Sequence, residues 1–330
     1  MKNIIITIWI LGISFLITTS LIASIQSKVT VKVVDEENIP INQADVEIIF
    51  SKARSKPLGK GWGNIVDYHK IKGQTNTDGI FAASYTTNMN IPVLVSKSGF
   101  YDSSGGISFN ESGQADKEIV RLVLKRKRNP VSMYAKRTDA MKIPAFDQHI
   151  GYDLDVGDWV APYGKGKAND FIFVFKSKVN AWNDYECSFV LTFTNEKDGI
   201  QEYHPDKENR SAYKWPFEAP TNNYKNMLSK FILNVPGKTV KTNFKKSDEI
   251  RYIFRVRTTT DKEGKIVSAN YGKIKGEISI SRNGYVDFSN YYFNPHGNRS
   301  LEFDTDKNLF IPEGAKKYKS KYNNFIKSDL

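Results

Sequence analysis

The chain has 330 residues, room for two ordinary domains, and its 40% hydrophobic and 13% aromatic content is that of a folded rather than a disordered protein. A single cysteine, Cys187, excludes an intrachain disulfide framework and any thiolate metal cluster. The formal net charge is +12, yet the lysines are scattered and no zinc finger or helix-turn-helix occurs, so nucleic acid is not an expected partner.

In chain order, residues 1–27 come first. Lys2 precedes an apolar run from Ile4 to about Ile22, with Ala23 and Ser24 at a small-residue cleavage position, which is the pattern of a secretory signal. Leu21 would stand three residues before a cut after Ala23, so the small-x-small rule is half met. The same run is also long enough to span a bilayer. Cleaved signal and retained anchor through residues 4–22 are therefore the two readings. Both export the rest of the chain, to the periplasm, the cell surface or the medium, and membrane contact is expected only through this segment.

Residues 28–128 read as a β-sandwich. Val29, Val31 and Val33 alternate with polar residues, and Val46, Ile48 and Phe50 do so again beyond the turn-rich "DEENIPINQA". Residues 52–72 form a Gly- and Lys-rich excursion without a period. "GQTNTDGIF" supplies a turn at Asp78-Gly79, "IPVLVSKSGFYDS" a buried strand, and "EIVRLVLKRKR" a closing strand. These stretches resemble the carboxypeptidase regulatory-like domain, a transthyretin-like sandwich. Pro40, Ile41, Ala44 and Val46 occupy its turn positions, Thr77, Asp78, Gly79 and Phe81 its hairpin, and Lys97, Gly99 and Phe100 its ending. Asn38 stands where the first glycine is usual, which a turn tolerates. The resemblance implies a spacer or interaction module without catalytic residues, with 52–72 as an inserted loop.

The charge run Lys125, Arg126, Lys127, Arg128, followed by Pro130, marks a seam, and 129–144 is read as a linker. Residues 145–330 read as a second sandwich, jelly-roll or immunoglobulin-like, with a basic C-terminal tail. Its strands are "NDFIFVFKSKV", "DYECSFVLTFTN", "EIRYIFRVRTTTD" and "GKIKGEISIS", with a hairpin turn at "DKEGK". Cys187 lies in the second of these as a buried small apolar residue. "NNYKNMLSKFIL" is the best candidate for a short helix. From residue 130 onward the chain resembles exported bacterial proteins, a likeness that carries no activity. The fold class is thus all-β, two sandwiches in tandem after a signal or anchor.

Two stretches invite a functional reading. "GYDLDVGDWVAPYGKGKANDFIF" (151–173) mixes aspartates, glycines and lysines, but Gly164-Lys165 and Gly166-Lys167 lack the hydroxyl and the following helix of a phosphate-binding loop. Asp153, Asp155 and Asp158 are close enough in sequence for a structural calcium, although an EF-hand would need glycine where Asp158 stands. The expected role of the stretch is a structured loop feeding a core strand. "YHPDKENRSAYKWPFEAPTNNY" (203–224) carries Tyr203, Tyr213 and Trp215, and with Trp159 these are the candidates for stacking a sugar ring or a peptide; Tyr163 and Trp182 stand on other loops. No G-x-S-x-G or H-E-x-x-H occurs, and His204 and His296 each lie beside a proline in loops. The expectation is an exported, non-enzymatic envelope protein with a carbohydrate or protein partner and no cofactor. The alternative is a secreted hydrolase of glycosidase type, its carboxylates scattered in sequence.

Overall fold

The computed structural model describes residues 25–58, 61–110, 115, 119–138, 140–206, 210–246 and 249–311, and among them there is no helix. The segment expected to be a signal or anchor and the basic tail lie outside the described residues, apart from Ile25–Ser27. No helix among the described residues is long and apolar enough to cross a membrane.

The first unit contains β1 (Ile25–Val34), β2 (Asp45–Leu58), β3 (Gly61–Gln74), β4 (Ile80–Thr87), β5 (Ile91–Ser96), β6 (Ser103–Ile107) and β7 (Ile119–Val123). They form a three-stranded sheet in the order β4-β1-β7 and a four-stranded sheet in the order β3-β2-β5-β6. The alternation seen in the sequence is what closes them. Val29, Val31 and Val33 from one sheet meet Val46, Ile48 and Phe50 from the other in a single core. Gly79 has φ +73°, and a Cβ there would sit 2.3 Å from the carbonyl oxygen of Val33, so the turn into β4 admits only glycine. Residues 52–72 are not an irregular inserted loop. They continue β2 and β3, which pair residue by residue from Asp45–Gln74 to Leu58–Gly61. Charged and small residues on both faces of this hairpin hide the period that would have announced it.

The second unit begins with β8 (Val131–Arg137), β9 (Met141–Lys142), β10 (Ile150–Asp153), β11 (Asp158–Trp159), β12 (Phe171–Ala181), β13 (Asp184–Thr192), β14 (Gly199–Tyr203) and β15 (Met227–Asn234). It ends with β16 (Lys241–Thr242), β17 (Arg251–Thr260), β18 (Ile266–Lys275), β19 (Ser279–Ser281), β20 (Tyr285–Asp287), β21 (Asn290–Asn294) and β22 (Phe303–Asn308). Two six-stranded sheets, β11-β10-β12-β13-β15-β16 and β14-β17-β18-β21-β8-β22, share a core rich in phenylalanine, with Phe171, Phe173, Phe175 and Phe189 facing Phe254 and Phe293. Cys187 is fully buried in that core, and burial pushes its thiol up.

Two expectations are corrected here. Residues 129–144 are not a linker, because Val131–Arg137 is a strand lying between β21 and β22. "NNYKNMLSKFIL" is not helical, since Met227–Asn234 pairs antiparallel with β13 along its whole length. Its inward face is Leu228, Lys230 and Ile232, and the buried lysine breaks the alternation that would have marked a strand. Lys230 is held at 2.7 Å from Glu277, and it donates to the Tyr252 hydroxyl, which in turn donates to Glu277.

Candidate functional site

Residues 151–173 form a loop held by its own backbone donors and by Arg257, with the Tyr152 hydroxyl and Asp155 Oδ1 buried without a hydrogen bond. Asp153 accepts backbone N–H bonds from Asp155, Val156, Lys167 and Ala168. Burial pushes its carboxyl up, but these four bonds outweigh it and hold the group below its ordinary range. Asp158 accepts from Trp159 and Lys165. Arg257 clamps the rest: it donates two parallel bonds to Asp170, at 2.7 and 2.8 Å, and a third to Asp155 at 2.7 Å. Burial pushes the guanidinium down, but these carboxylates hold it charged above its usual value. Arg257 reaches them because β17 bulges between Val256 and Thr259, where its own φ is +56° and Asp198 accepts the N–H groups of Arg257 and Thr258.

The aspartates singled out for calcium are thus not brought together as an open ligand set; Asp153 and Asp158 face backbone donors, and Asp155 gives one oxygen to Arg257 while the other is buried without a hydrogen bond. No group of three or more His, Cys, Asp or Glu suited to a metal occurs among the described residues. Nor do the glycines cradle a ligand. A Cβ on Gly166 would sit 2.8 Å from the Asp153 Cβ and 2.9 Å from two carbonyl oxygens of its own loop. The loop does lead into core strand β12, as expected.

The aromatic loop 203–224 lies on the outer face of β17, β18 and β21, where the ring-stacking reading is corrected. Tyr213 is 0% and Trp215 1% exposed, and Trp159 is buried edge-on against Tyr152 and Phe173. Tyr203 is partly buried, its ring 5.9 Å from that of Trp215 and nearly parallel. The loop tucks its rings onto the sheet because that face offers Ile253, Ala269 and Tyr271 to pack on and cations for the rings to cover, Arg251 and Lys273 against Trp215 and Arg255 against Tyr224. Trp182, 75% exposed, and Tyr163 remain at the surface on separate loops, not as a ledge.

This loop also joins the two units. Tyr101 of the first stacks on Tyr213 at 4.6 Å, and its hydroxyl donates to the buried Glu302 at 2.9 Å. Glu302 accepts in addition the N–H groups of Arg128 and Asn129. The cations of the seam each lie over a ring: Lys125 over Tyr213, Arg126 over Phe100, Lys127 over Tyr101 and Arg128 over Phe217. Backbone pairing completes the joint, with Ser104 donating to Arg210 and Ala212 to Asp102.

Beside this joint a cleft of about 1030 Å³ opens between the four-stranded sheet of the first unit and the loop of the second. Glu47 and Asp45 line one wall, and Lys214, Arg251 and Lys275 the other. Glu47 is bridged to Lys70 and Lys72, which hold its carboxyl below the usual range, the opposite of what a general acid needs. The described residues contain one serine–histidine contact, Ser132 Oγ to His296 Nε2 at 2.8 Å, on an exposed surface and with no carboxylate bonded to the other ring nitrogen.

Sequence reasoning misses Arg257, Asp170, Glu302 and Lys273. A signal exists for some of them: Arg251, Arg255 and Arg257 occur inside an apolar strand run, and Lys273 inside the next, where a cation must find a partner. Lys273 is wholly buried, with its Nζ 4.9–5.3 Å from the rings of Tyr213, Trp215 and Tyr292. Burial and the neighbouring Arg251 push its amine well down.

No family model matches the chain, and no curated protein is significantly similar to it. Among solved structures, a mutant of the shaft pilin SpaA from Lactobacillus rhamnosus GG aligns over 84% of this chain and 96% of its own, at 12% identity and a TM-score of 0.18. At that score the two share no demonstrated fold.

Proposed function

We propose that this chain is an exported, non-enzymatic structural module of the cell envelope, in which two β-sandwiches are held as one unit to present a surface at a fixed distance. The observation that carries the reading is the joint. Tyr213 and Trp215 are buried between Tyr101 of the first unit and the outer sheet face of the second, with Glu302 tying both chain segments together. Moving either unit would leave the Glu302 carboxylate unpaired in the interior, so the contact resists relative motion. The first unit is read as a carboxypeptidase regulatory-like domain, supported by its sheets of three and four strands and by the glycine turn at Gly79. Export rests on the apolar run of residues 4–22.

The test has two arms. Spin labels placed one on each unit should give a single narrow distance distribution, and a broad one refutes the fixed joint. Intact-mass analysis of protein from its native cells should find it outside the cytoplasm, starting near residue 24–28 or retained in the membrane; a soluble cytoplasmic species starting at Met1 refutes export.

A further inference from the structure

We propose that one end of the second sandwich docks on an anionic lipid surface, with Trp182 at the tip of the β12–β13 hairpin entering the headgroup layer. Three hairpin turns meet at this end. Ala181 lies opposite Asp184, so Trp182 and Asn183 form the first turn. Tyr185, next along, lies opposite Asn234, which places the turn between β15 and β16 beside it. The turn between β19 and β20 is tied to the first through Arg282, which donates to the Trp182 carbonyl and whose own carbonyl accepts from Ser177 Oγ at 2.9 Å.

These turns are apolar at their tips and cationic around them. Trp182 is 75% exposed, and Val179, Val240 and Tyr285 are exposed on the same three hairpins. Lys178, Lys238 and Lys241 flank them, exposed and in no ion pair among the described residues. Lys142 and Arg282 bond only the backbone carbonyls of Asn283 and Trp182 and lie over the rings of Tyr285 and Tyr185, contacts that leave their charge uncompensated. The carboxylates here are Asp184, which accepts from Asn180, and Glu186, which stands opposite Lys178. The cations outnumber them. A bilayer interface matches this pattern: tryptophan and tyrosine settle at headgroup level, where the ring is covered and its polar tip stays wet, and the lysines and arginine beside them meet lipid phosphates. The rings stand on separate turns, so no ledge for one sugar exists, and a protein partner would need a hollow matched to each tip. A fluid interface yields to all three. The contact is distinct from the apolar run of residues 4–22.

The experiment is tryptophan fluorescence of the full chain and of Trp182→Phe on vesicles of phosphatidylcholine, alone or mixed with phosphatidylglycerol, at low and at physiological salt. The difference between the two proteins isolates Trp182 from the other tryptophans and from any contact made by residues 4–22. On mixed vesicles it should shift to the blue and be quenched by lipids brominated in the upper chain, less so at physiological salt, and neither on phosphatidylcholine alone. Joint replacement of Lys178, Lys238 and Lys241 by glutamine should raise the lipid concentration needed for that signal by about tenfold or more, at an unchanged melting temperature. A Trp182 signal that ignores mixed vesicles overturns the proposal. So does an equal signal on phosphatidylcholine alone, or a full one in the folded lysine variant. A shift that follows protein concentration rather than lipid would assign this end to a second copy of the chain and overturns it too.

Discussion

Trp215→Ala discriminates between a surface loop and a structural clasp. An exposed stacking residue would weaken ligand binding and leave stability nearly untouched. In the structure Trp215 is 1% exposed, stacks on Tyr203, and lies 4.9 Å from the Arg251 guanidinium and 5.0 Å from the Lys273 Nζ. Emptying a site of this kind costs about 3–5 kcal/mol. For a domain of this size each kcal/mol moves the midpoint by about 2–4 °C, so a fall of about 6–20 °C is expected. The indole Nε1 makes no hydrogen bond, so Trp215→Phe should cost distinctly less than Trp215→Ala. Thermal unfolding followed by circular dichroism measures both. A Trp215→Ala midpoint within about 2 °C of the parent would refute the clasp, on the same per-kcal scaling.

Other outcomes rest on the same contacts. Arg257→Ala should destabilise by about 3–5 kcal/mol in urea melts, because Asp170 is left buried and unpaired, and Arg257→Lys should recover less than half, having no fork to match the carboxylate. Asp153 has a depressed folded-state pKa, so its contribution is complete above the unfolded value of 3.8 and is lost as pH falls through the lower folded value. Acid melts of Asp153→Asn should accordingly show a shallower loss of stability in that window than the parent. Trypsin under native conditions should leave 125–144 intact, because Val131–Arg137 is an internal strand and Arg128 and Asn129 are bonded to Glu302; early cutting there would contradict the joint. Cys187 should react with a thiol reagent only on unfolding, as its side chain is buried among phenylalanines.

The strands whose two faces differ are legible in the sequence. Val29 to Val33 and Phe171 to Phe175 alternate because one face meets a core and the other does not. Those whose faces are alike are not. The hairpin of β2 and β3 carries charge on both sides, and β6, "SSGGI", has too few side chains to show any period. In β15 a buried lysine stands where an apolar residue would have signalled a strand. The site is less legible still. Asp153 is visible as an aspartate, but its partners come from fourteen and fifteen residues away and its loop is closed by an arginine a hundred residues on. The aromatic loop is visible too, whereas the side its rings face is not. Nothing in "SAYKWPF" says that the sheet beneath it buries both of its faces; that depends on Ile253, Ala269 and Tyr271, and on the cations Arg251 and Lys273, from strands assembled later in the chain.

The position of β8 sets an order of events during synthesis. The first sandwich has all its strands once residue 123 has been made. The strand after it, Val131–Arg137, has both of its neighbours near the other end, and Ala135 waits for Asn308, 173 residues on, to receive the hydrogen bond from its own N–H. Until then β8 has two open edges and no sheet to join. The nascent chain therefore carries one domain with all its strands and one that matures only after Asn308 has been made, a late step slowed by its long-range pairing. Glu302 arrives in that same segment, so its tie between the two halves is the late part of a joint whose ring stack and backbone bonds use residues 101–104 and 210–213.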